Sequence, residues 1–474
     1  MNDPIATDKD REISEHRRWR LRAEYASVSW FGQLLENEFA APDQHRLAEQ
    51  RALTALIRFV AAEVPYYRDL FRRMDLAPQD LNLPDDLCRL PVLSKRQVYE
   101  NGARLKPDRL PADAKTFGIV KSSGTTGRPT RVIQSAQSNR MFTVLGQRQF
   151  RWFRFDPAQT MATIRLASHL PRMTDGSMLP DGATHRLSRW RYVGKFFYTG
   201  SEHCFNVTNS IEQQIDWLKK LQPAYLLSYS ESLEHLALQC AGHSPLNRLR
   251  GLCAISEQLT PSMRRRVERT FNVPVHQNYG LNEIGRVAVR CDVGRYHVHT
   301  EHCIVEIVDD QGRPCPPGRT GRVLVTALAN PTMPLIRYDT DDMAVAVDGP
   351  CPCGHGLSTF GELSGRYSRI AYLPANTLAY VGALREALER VPDELTVHLR
   401  QYQIHQYRDD RFELRLRTTA PMPAAFDACI DQAWREAVGD SRLPLTIERV
   451  DEIERSLGGK FLDFTSDYVP VPDK

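Results

Sequence analysis

The sequence predicts an α/β protein with a large N-terminal α/β body, containing parallel-sheet units and a β subdomain, and a small C-terminal α+β domain. In the middle of the chain, short apolar segments alternate with amphipathic helical segments, which is typical of right-handed βαβ units. From Cys303 onward the segments become β-like and are separated by Gly and Pro. After about residue 370, a strictly alternating strand precedes a helix and another strand. We therefore predict two domains, 1–366 and 367–474.

Composition and charge exclude several classes of protein. The 474 residues suffice for more than one domain, and 42% hydrophobic with 25% charged residues is typical of a globular protein. Lys and Arg total 62 against 58 for Asp and Glu, and no block of like charge indicates a nucleic-acid partner. No apolar run approaches the roughly 18 residues of a membrane span, and the first residues carry no apolar signal core. The absence of such a run predicts no membrane insertion. Since the ten cysteines are irregularly spaced and no secretion signal is present, we expect reduced thiols and a cytoplasmic location.

The segments that support this fold begin with a helical region from about Gln44 to Met74. Its apolar positions recur at helical spacing at Leu47, Ala52, Leu53, Leu56, Ile57 and Val60. Further helices are predicted in SIEQQIDWLKKLQ, SLEHLALQC, SMRRRVERTF and FDACIDQAWREAV. Strands are predicted in TFGIVK, AYLLSYS, LRGLCAISE, VPVHQNYG, CIVEIVDDQG, GRVLVTAL, RFELRLR and LTIERVDEI. The alternation of short strands with helices is what predicts a parallel sheet in the large body.

A segment rich in glycine and hydroxyl groups, KSSGTTGRPTR, occupies Lys121–Arg131. Its glycines allow backbone N–H groups to converge, its hydroxyl groups add donors, and its basic residues add positive charge. This pattern indicates a polyphosphate site formed by Ser122, Ser123, Gly124, Thr125, Thr126 and Gly127. It matches neither the P-loop of NTPases nor the dinucleotide-binding glycine motif. On composition alone, a surface turn rich in Ser and Gly explains the segment equally well.

Further motifs follow this loop in a fixed order: AISEQL (254–259), NYGLNE (278–283), RYDTDD (337–342), GR (365–366) and GGK (458–460). The series resembles the adenylate-forming superfamily of acyl-CoA ligases. VPYYRDLF, LPVLSK, PLIRY and CPCG are similar to its phenylacetate–CoA ligase-like branch, which includes adenylating proteins found with capsule genes. The resemblance covers about residues 50 to 465. It implies activation of a carboxylic acid by ATP as an acyl-adenylate, release of pyrophosphate and transfer to CoA.

The resemblance also implies a role for individual residues. The SSGTTG loop would hold the β- and γ-phosphates of ATP, and Tyr279 would flank adenine with Glu257 and Asn278 near its polar edge. Glu283 would bind Mg²⁺, a hard cation that prefers oxygen ligands, and Asp342 would accept the ribose hydroxyl groups. A helix-capping acid is the competing interpretation of Glu283, and an exposed turn acid that of Asp342.

Lys460 is the residue expected to drive adenylation, because its ammonium group would bridge the acid's carboxylate and the α-phosphate. In this superfamily the lysine lies on a mobile C-terminal domain that closes over the body. Arg366, in the GR pair at the hinge, is predicted to contact the nucleotide, and Asn282 to act beside the α-phosphate. A solvated surface lysine is the competing interpretation of Lys460.

Four positions depart from the superfamily pattern. Asn282 replaces a threonine, Asp341 replaces a glycine, Ser368 replaces an aspartate, and AYLPANTLAY replaces the glycine-bearing loop near the CoA tunnel. The first two leave adenylation plausible, whereas the last two weaken the case for CoA as acceptor. Two alternatives therefore stay open beside the CoA ligase: adenylation that ends in an amide or other N-acyl product, in a polysaccharide or secondary-metabolite pathway, and a degenerate nucleotide-binding protein without activity.

A structural zinc site is predicted from Cys291, His297, Cys351 and Cys353, with His299 as a rival for His297. Three thiolates and one imidazole suit a closed tetrahedral Zn²⁺ site, which leaves no position for a reactive water molecule. The similar branch has this arrangement in some members. The competing interpretation is a set of free buried thiols.

The acid is expected in the crevice at the carboxyl ends of the parallel strands. LLSYSES and AISEQ end strands there, so Tyr229, Ser230 and Ser256 are candidates to line that crevice. The sequence leaves open whether the acid is aryl, acyl or amino.

Overall fold

A computed structural model of the chain describes residues 28–112, 114–121, 130–240, 243–256, 259–366, 391–396, 398–409, 411–438, 443–453 and 464–467. The α-helices are α1 Val28–Asn37, α2 Pro42–Glu63, α3 Pro65–Arg73, α4 Lys95–Glu100, α5 Ala136–Trp152, α6 Ile211–Leu221, α7 Ser230–Gln239, α8 Pro261–Phe271 and α9 Ala424–Val438. Short 3₁₀ turns include Asp85–Arg89 and Ala167–His169.

The strands follow the predicted order along the chain. They are β1 Thr116–Lys121, β2 Arg131–Ser135, β3 Met161–Arg165, β4 Thr184–Leu187, β5 Glu202–Asn206, β6 Tyr225–Tyr229, β7 Gly251–Ile255, β8 Val275–Leu281, β9 Gly285–Arg290, β10 Tyr296–Val298, β11 Cys303–Val308, β12 Thr320–Ala327, β13 Tyr338–Val345, β14 Thr359–Phe360, β15 Leu363–Arg366, β16 Leu399–Gln406, β17 Phe412–Thr418, β18 Leu445–Arg449 and β19 Phe464–Ser466. Each strand and helix predicted after residue 110 has its counterpart in these elements.

The helical region predicted from Gln44 to Met74 is two helices rather than one. Val64 is extended, with φ −105° and ψ 112°, and Pro65 begins α3. The break occurs there because proline disfavours a helical conformation at the residue before it and lacks an N–H donor. The predicted apolar face is wrong at its start, because Leu47 is 46% exposed and Ala52 is also exposed. The buried apolar positions of α2 begin at Leu53.

The chain divides into two compact units, of which the first comprises the described residues within 1–159, 188–201 and 277–365. Its strands form a β1–β2 hairpin, an antiparallel arrangement in the order β14-β10-β9-β8, and a sheet in the order β11-β12-β13-β15. Its core contains Leu53 and Ile57 of α2, Val323 and Val325 of β12, and Tyr338 of β13. The last sheet contains the β segments that the sequence predicts for a subdomain.

The second unit comprises the described residues within 160–187, 202–276 and 366–474. In its N-terminal part, strands run in the order β7-β6-β3-β5-β4, with β3, β5, β6 and β7 parallel and β4 antiparallel at one edge. Helices α6, α7 and α8 bury Ile215, Leu233 and Val267 in the core of this part. The parallel sheet with crossover helices is therefore confirmed.

The C-terminal residues of the second unit form a sheet in the order β18-β17-β16-β19. Phe412, Leu414 and Leu416 alternate along β17 and are all buried, as the strict apolar alternation predicts. The Phe412 ring packs on Trp434 of α9, with ring centroids 5.1 Å apart. The predicted domain boundary between residues 366 and 367 stays a prediction.

No helix among the described residues is both long enough and apolar enough to cross a bilayer.

Candidate functional site

Glu283 lies in the tight turn that joins β8 to β9 in the first unit. It is 6% exposed, and the hydroxyl group of Tyr338 donates a hydrogen bond to its Oε1 over 2.9 Å. Gln134 of β2 donates to the backbone oxygen of Glu283 over 2.7 Å. Because this position begins no helix, the helix-capping interpretation of Glu283 is wrong.

Tyr338 keeps its proton and can therefore act as this donor. Burial, followed by the adjacent Glu283 carboxylate, raises the pKa of Tyr338 above its ordinary value. Tyr338 belongs to the RYDTDD motif, and its role depends on a contact with a residue 55 positions earlier, which no local pattern in the sequence indicates. The result is a buried carboxylate whose orientation is fixed by a neutral donor.

Asp342 lies in β13 and accepts a hydrogen bond at Oδ2 from the Tyr279 hydroxyl group, over 2.8 Å. Tyr279, on β8, is largely buried, and its ring meets that of Phe360 edge to face at 6.0 Å. The backbone N–H of Asp342 donates to Thr340 Oγ1 over 3.1 Å. Asp342 is therefore a partly buried strand residue whose carboxylate is held by Tyr279, not an acid of an exposed turn.

Asn278 lies next to Tyr279 on β8, paired with Val289 of β9. Its side-chain oxygen Oδ1 is buried and has no hydrogen-bond partner. A buried acceptor without a donor is costly, so the site is one that a donor group of a ligand would complete.

Asn282 connects this turn to the predicted phosphate loop. Its side-chain amide donates to the backbone oxygen of Lys121, the last residue of β1, over 3.1 Å. Lys121 pairs with Arg131 across the β1–β2 hairpin, so the loop between them starts and ends at adjacent positions. The structure thus brings one flank of the loop to the Asn282–Glu283 turn.

The loop residues Ser122, Ser123, Gly124, Thr125, Thr126 and Gly127, together with Glu257 and Lys460, lie outside the described residues. Arg366 is the last residue of β15. Their roles stay predictions.

Asp341, which replaces the glycine of the superfamily pattern, has a left-handed backbone with φ +70°. Its carboxylate lies 3.5 Å from the Nζ of Lys95, the first residue of α4. The backbone conformation favours glycine, and the lysine offsets the added negative charge beside Asp342.

Arg337, directly before β13, ties this strand to earlier parts of the chain. It is 1% exposed, and its guanidinium donates to Glu306 and to the backbone oxygens of Cys88 and Leu90. Leu93 exchanges backbone hydrogen bonds with the same strand, donating to Arg337 and accepting from Asp339. The arginine of the RY motif is therefore a structural anchor for the strand that carries Asp342.

The four predicted metal ligands converge in the first unit. The ligand atoms of Cys291, His297, Cys351 and Cys353 all lie within 4.8 Å of one another. The Cys291 and Cys351 sulfurs are 3.8 Å apart, and the Cys353 sulfur is 3.2 Å from His297 Nε2. A tetrahedral Zn²⁺ with bonds of about 2.0–2.3 Å separates its ligand atoms by roughly 3.5 Å, so the donor set fits this ion.

Two backbone turns build this cluster. Cys291 follows β9 and His297 lies in β10, so both belong to the β9–β10 hairpin, whose turn contains Gly294 with φ +97°. Cys351 accepts at its backbone oxygen from Gly354, which has φ +88°. Pairing of β10 with β14 places the two turns side by side.

The neighbouring histidines differ in their contacts. His299, the predicted rival ligand, is outside the cluster, with Nδ1 3.4 Å from the Arg148 guanidinium. His355 lies beside the cluster: its Nδ1 is 3.3 Å from the Cys353 sulfur, and its ring packs on Trp152. Burial lowers the pKa of His297 to about 4, so its imidazole is neutral at pH 7. No disulfide joins any of the ten cysteines.

The predicted acid-binding candidates lie at strand ends in the second unit. The Tyr229 hydroxyl group, at the end of β6, accepts from the backbone N–H of Leu166 over 3.3 Å and lies 3.1 Å from His169 Nδ1. Ser230 is buried at the start of α7, whereas Ser256 is exposed and has φ +66°. The three residues follow the carboxyl ends of β6 and β7, as predicted.

Comparison with known proteins assigns the chain to a family. The model of the AMP-binding enzyme family matches residues 85–329, which is more than half of the chain. Phenylacetate–coenzyme A ligase from Thermus thermophilus is 25% identical over 407 residues, covering 81% of this chain and 84% of that protein. The protein of the same name from Escherichia coli K12 is 26% identical over 338 residues, covering 69% and 72%.

Solved structures support the fold. 2-Hydroxyisobutyryl-CoA ligase in the postadenylation state, in complex with 2-HIB-AMP, superposes with a TM-score of 0.70 at 17% identity, covering 91% of each chain. Anthranilate CoA ligase in complex with anthranoyl-AMP gives 0.52 at 15% identity, covering 75% of this chain and 68% of that one. The resemblance drawn from the ordered motifs is confirmed: the chain belongs to the AMP-binding enzyme family, as an ATP-dependent, AMP-forming ligase similar to phenylacetate–coenzyme A ligases.

Proposed function

We propose that this protein is an acid–CoA ligase. It would join a carboxylic acid to AMP with release of pyrophosphate, and then transfer the acyl group to the thiol of CoA with release of AMP. The observation that carries the proposal is the set of contacts in the first unit that holds Asp342 by Tyr279 and links the Asn282–Glu283 turn to Lys121. The CoA step is supported by relatives that are named phenylacetate–coenzyme A ligases and are covered over 84% and 72% of their length.

The residues of β8 and β13 would bind the nucleoside. A carboxylate accepts hydrogen bonds from two neighbouring hydroxyl groups, and the Tyr279 hydroxyl group keeps the Asp342 carboxylate in one orientation for the ribose. The buried Oδ1 of Asn278, which has no partner, would accept a hydrogen bond from the adenine amino group. Binding would therefore satisfy an acceptor that folding leaves without a donor.

Glu283 would hold Mg²⁺, to which it offers a carboxylate oriented by Tyr338. When bound, Mg²⁺ neutralises charge on the phosphate oxygens. The hydroxyl groups and backbone N–H groups of residues 122–127 would bind the β- and γ-phosphates, as the sequence predicts. The Lys460 ammonium group would hold the acid's carboxylate against the α-phosphate, which lowers the repulsion between two anions.

The cysteine cluster would hold a structural Zn²⁺ in addition. Three sulfurs and one imidazole nitrogen at these separations fit a closed tetrahedral site. The ion would join the β9–β10 hairpin to the loop before β14. Its contribution would be to stability rather than to the reaction.

Two assays test the ligase proposal. The first measures pyrophosphate release and ATP–pyrophosphate exchange over a panel of carboxylic acids, and the second measures thioester formation when CoA is added. We expect exchange that depends on one class of acid and a thioester as the final product. No release with any acid would overturn the function, whereas release without a thioester would overturn only the role of CoA.

A variant tests the assignment of the lysine. Lys460→Ala should abolish exchange while ATP still binds, because adenylation needs the bridging charge and nucleotide binding does not. Lys220→Ala, an exposed lysine at the end of α6, is the matched control and should keep the wild-type rate. Exchange at the wild-type rate in Lys460→Ala would show that another residue neutralises the charge between the carboxylate and the α-phosphate.

A further inference from the structure

The short turn that carries Glu283 lies outside the regular hydrogen bonding of the strands that it joins. Pairing of β8 with β9 ends with Leu281 opposite Gly285, which leaves residues 282–284 beyond the ladder. Gly285 begins β9 with φ +104°, a backbone conformation that favours glycine. The backbone oxygens of Glu283 and Ile284 therefore need hydrogen-bond donors from elsewhere in the fold.

Gln134 of β2 supplies the first donor. It is 8% exposed, and its Nε2 donates to the backbone oxygen of Glu283 over 2.7 Å. The other end of the same amide, Oε1, accepts from the hydroxyl group of Ser138, in the first turn of α5, over 2.7 Å. Because a carbonyl oxygen faces one end and a hydroxyl donor the other, the amide has a single orientation.

His302, directly before β11, supplies the second donor. It is 1% exposed, and its Nε2 lies 2.8 Å from the backbone oxygen of Ile284. A carbonyl oxygen only accepts, so the proton is on Nε2, and Nδ1 is buried without a hydrogen-bond partner. Burial lowers the pKa of His302, which keeps the ring neutral at pH 7. The backbone oxygen of His302 accepts from the N–H of Leu328 over 2.9 Å, so the donor itself is anchored.

The two donors hold consecutive carbonyl groups from separate elements of the first unit. Gln134 is the fourth residue of β2, the strand that leaves the predicted phosphate loop. Tyr338 holds the side chain of Glu283 by donating to one of its two carboxylate oxygens, Oε1, so Oε2 is available to a cation. A cation that joins this carboxylate to phosphate oxygens requires the turn and β2 to keep a fixed separation.

We propose that Gln134 and His302 are positioning residues, which hold the backbone of the Glu283 turn against β2 and thereby set the affinity for ATP with Mg²⁺. This inference rests on the proposed function and adds to it the residues that act through Glu283. Neither side chain touches the nucleotide or the acid. Loss of either donor leaves a buried carbonyl oxygen without a partner and lets the carboxylate move relative to the phosphates.

Calorimetric titration of the full chain with ATP tests the proposal. The measured quantity is the ratio of the ATP dissociation constant in excess chelator to that in excess Mg²⁺. Gln134→Met and His302→Leu should each lower this ratio by about threefold to tenfold, the factor that one hydrogen bond provides. Affinity for ATP in chelator should change by less than about twofold, because the Glu283 carboxylate then has no cation to bind.

Two further variants separate positioning from a general structural role. His302→Gln keeps a donor near the place of Nε2 and should recover most of the ratio that His302→Leu loses. In a Glu283→Gln background, Gln134→Met should cause no further change in the ratio, since the residue through which it acts is already altered. Gln50→Met, at an exposed glutamine of α2, is the matched control and should keep the wild-type ratio.

Thermal unfolding should show that each variant is folded, and the glutamine and the histidine are tested independently. An unchanged ratio in Gln134→Met and His302→Leu, or an equal loss of ATP affinity with and without Mg²⁺, would overturn the inference. A wild-type ratio of one would also overturn it. Binding is measured without an acid, so the result is separate from pyrophosphate release, whose absence with every acid overturns the ligase function instead.

Discussion

Two groups of polar side chains in the first unit are organised by different forces. Glu283 and Asp342 each accept a hydrogen bond from a tyrosine hydroxyl group, so their orientation is fixed by neutral donors of the chain itself. Cys291, His297, Cys351 and Cys353 converge without any partner of opposite charge among them. The first arrangement is complete without a ligand, whereas the second gains its main attraction from a cation. Loss of the carboxylate function at Glu283 or Asp342 should therefore change mainly activity, whereas loss of the cation from the cysteine cluster should change mainly stability.

The largest effect that would sharpen this comparison is expected on removing the metal. Protein purified without added metal should contain near-stoichiometric zinc, and Cys351→Ser should lose it. The free energy of unfolding should fall by at least ~3 kcal/mol, because metal binding in such sites is coupled to folding. Elemental analysis and denaturant unfolding measure the two quantities.

Cys88→Ser, outside the cluster, is the control for this prediction and should keep the metal. A wild-type protein free of metal would remove the zinc proposal without affecting the ligase function.

The next effect is expected on activity alone. Asp342→Ala removes the acceptor proposed for the ribose, so kcat/KM for ATP should fall by about a hundredfold, which corresponds to ~3 kcal/mol of lost charge-assisted hydrogen bonding. The free energy of unfolding should change by no more than ~1 kcal/mol, since Asp342 is only partly buried and its hydrogen bond from Tyr279 contributes about that much. Asp310→Ala, an exposed acid, is the control. A large fall in the free energy of unfolding with unchanged kcat/KM for ATP would show that Asp342 has a structural role and does not bind the ribose.

A smaller effect is expected from the tyrosines that orient the carboxylates. Tyr338→Phe leaves Glu283 buried without its donor, so we expect a loss of ~1 kcal/mol in the free energy of unfolding and about a fivefold fall in kcat/KM. Kinetics over a range of Mg²⁺ concentrations should show the change in the apparent Mg²⁺ affinity. Tyr99→Phe, at a tyrosine that is 53% exposed, should change neither quantity. If the apparent Mg²⁺ affinity is unaltered in Tyr338→Phe, the Glu283 carboxylate does not bind Mg²⁺.

The smallest effect is expected at Asp341. Asp341→Gly relieves a left-handed backbone and removes the ion pair with Lys95, and these changes oppose each other. We expect a net change within ~1 kcal/mol in the free energy of unfolding. A double-mutant cycle with Lys95→Met should give a coupling energy below ~1 kcal/mol. A larger coupling energy would mean that the Asp341–Lys95 ion pair, like the tyrosine hydrogen bonds, helps to hold the carboxylates of the site in place.

Much of the fold could be predicted from the sequence because its signals are local. The alternation in RFELRLR and the helical spacing in SIEQQIDWLKKLQ each lie within a few residues, and both give the expected elements, β17 and α6. The break at Val64 follows from Pro65 and could also have been predicted, but the apolar spacing on both sides suggested one helix. Leu47 fits that spacing and is exposed, since spacing does not say where the covering partner ends.

The site was predictable where residue type limits the choice. Cysteines and a histidine have few other roles in combination, and the four predicted ligands do come together. Tyr338 and Gln134 were missed because their importance depends on contacts between residues far apart in the sequence. Glu283 was placed in the right motif, but whether its segment was a turn or a helix start depended on the β8–β9 pairing.

The contacts of the chain before α4 have a practical consequence for truncation. Tyr67 donates to Pro334 and accepts from Ile336, and the backbone oxygens of Cys88 and Leu90 bind the guanidinium beside β13. The family match itself begins only at residue 85. A fragment that starts at residue 85 would lose the Tyr67 contacts, and one that starts after Lys95 would also lose the Cys88 and Leu90 contacts that support the strand carrying Asp342. A minimal working version of this protein has to retain α2 and α3 as well.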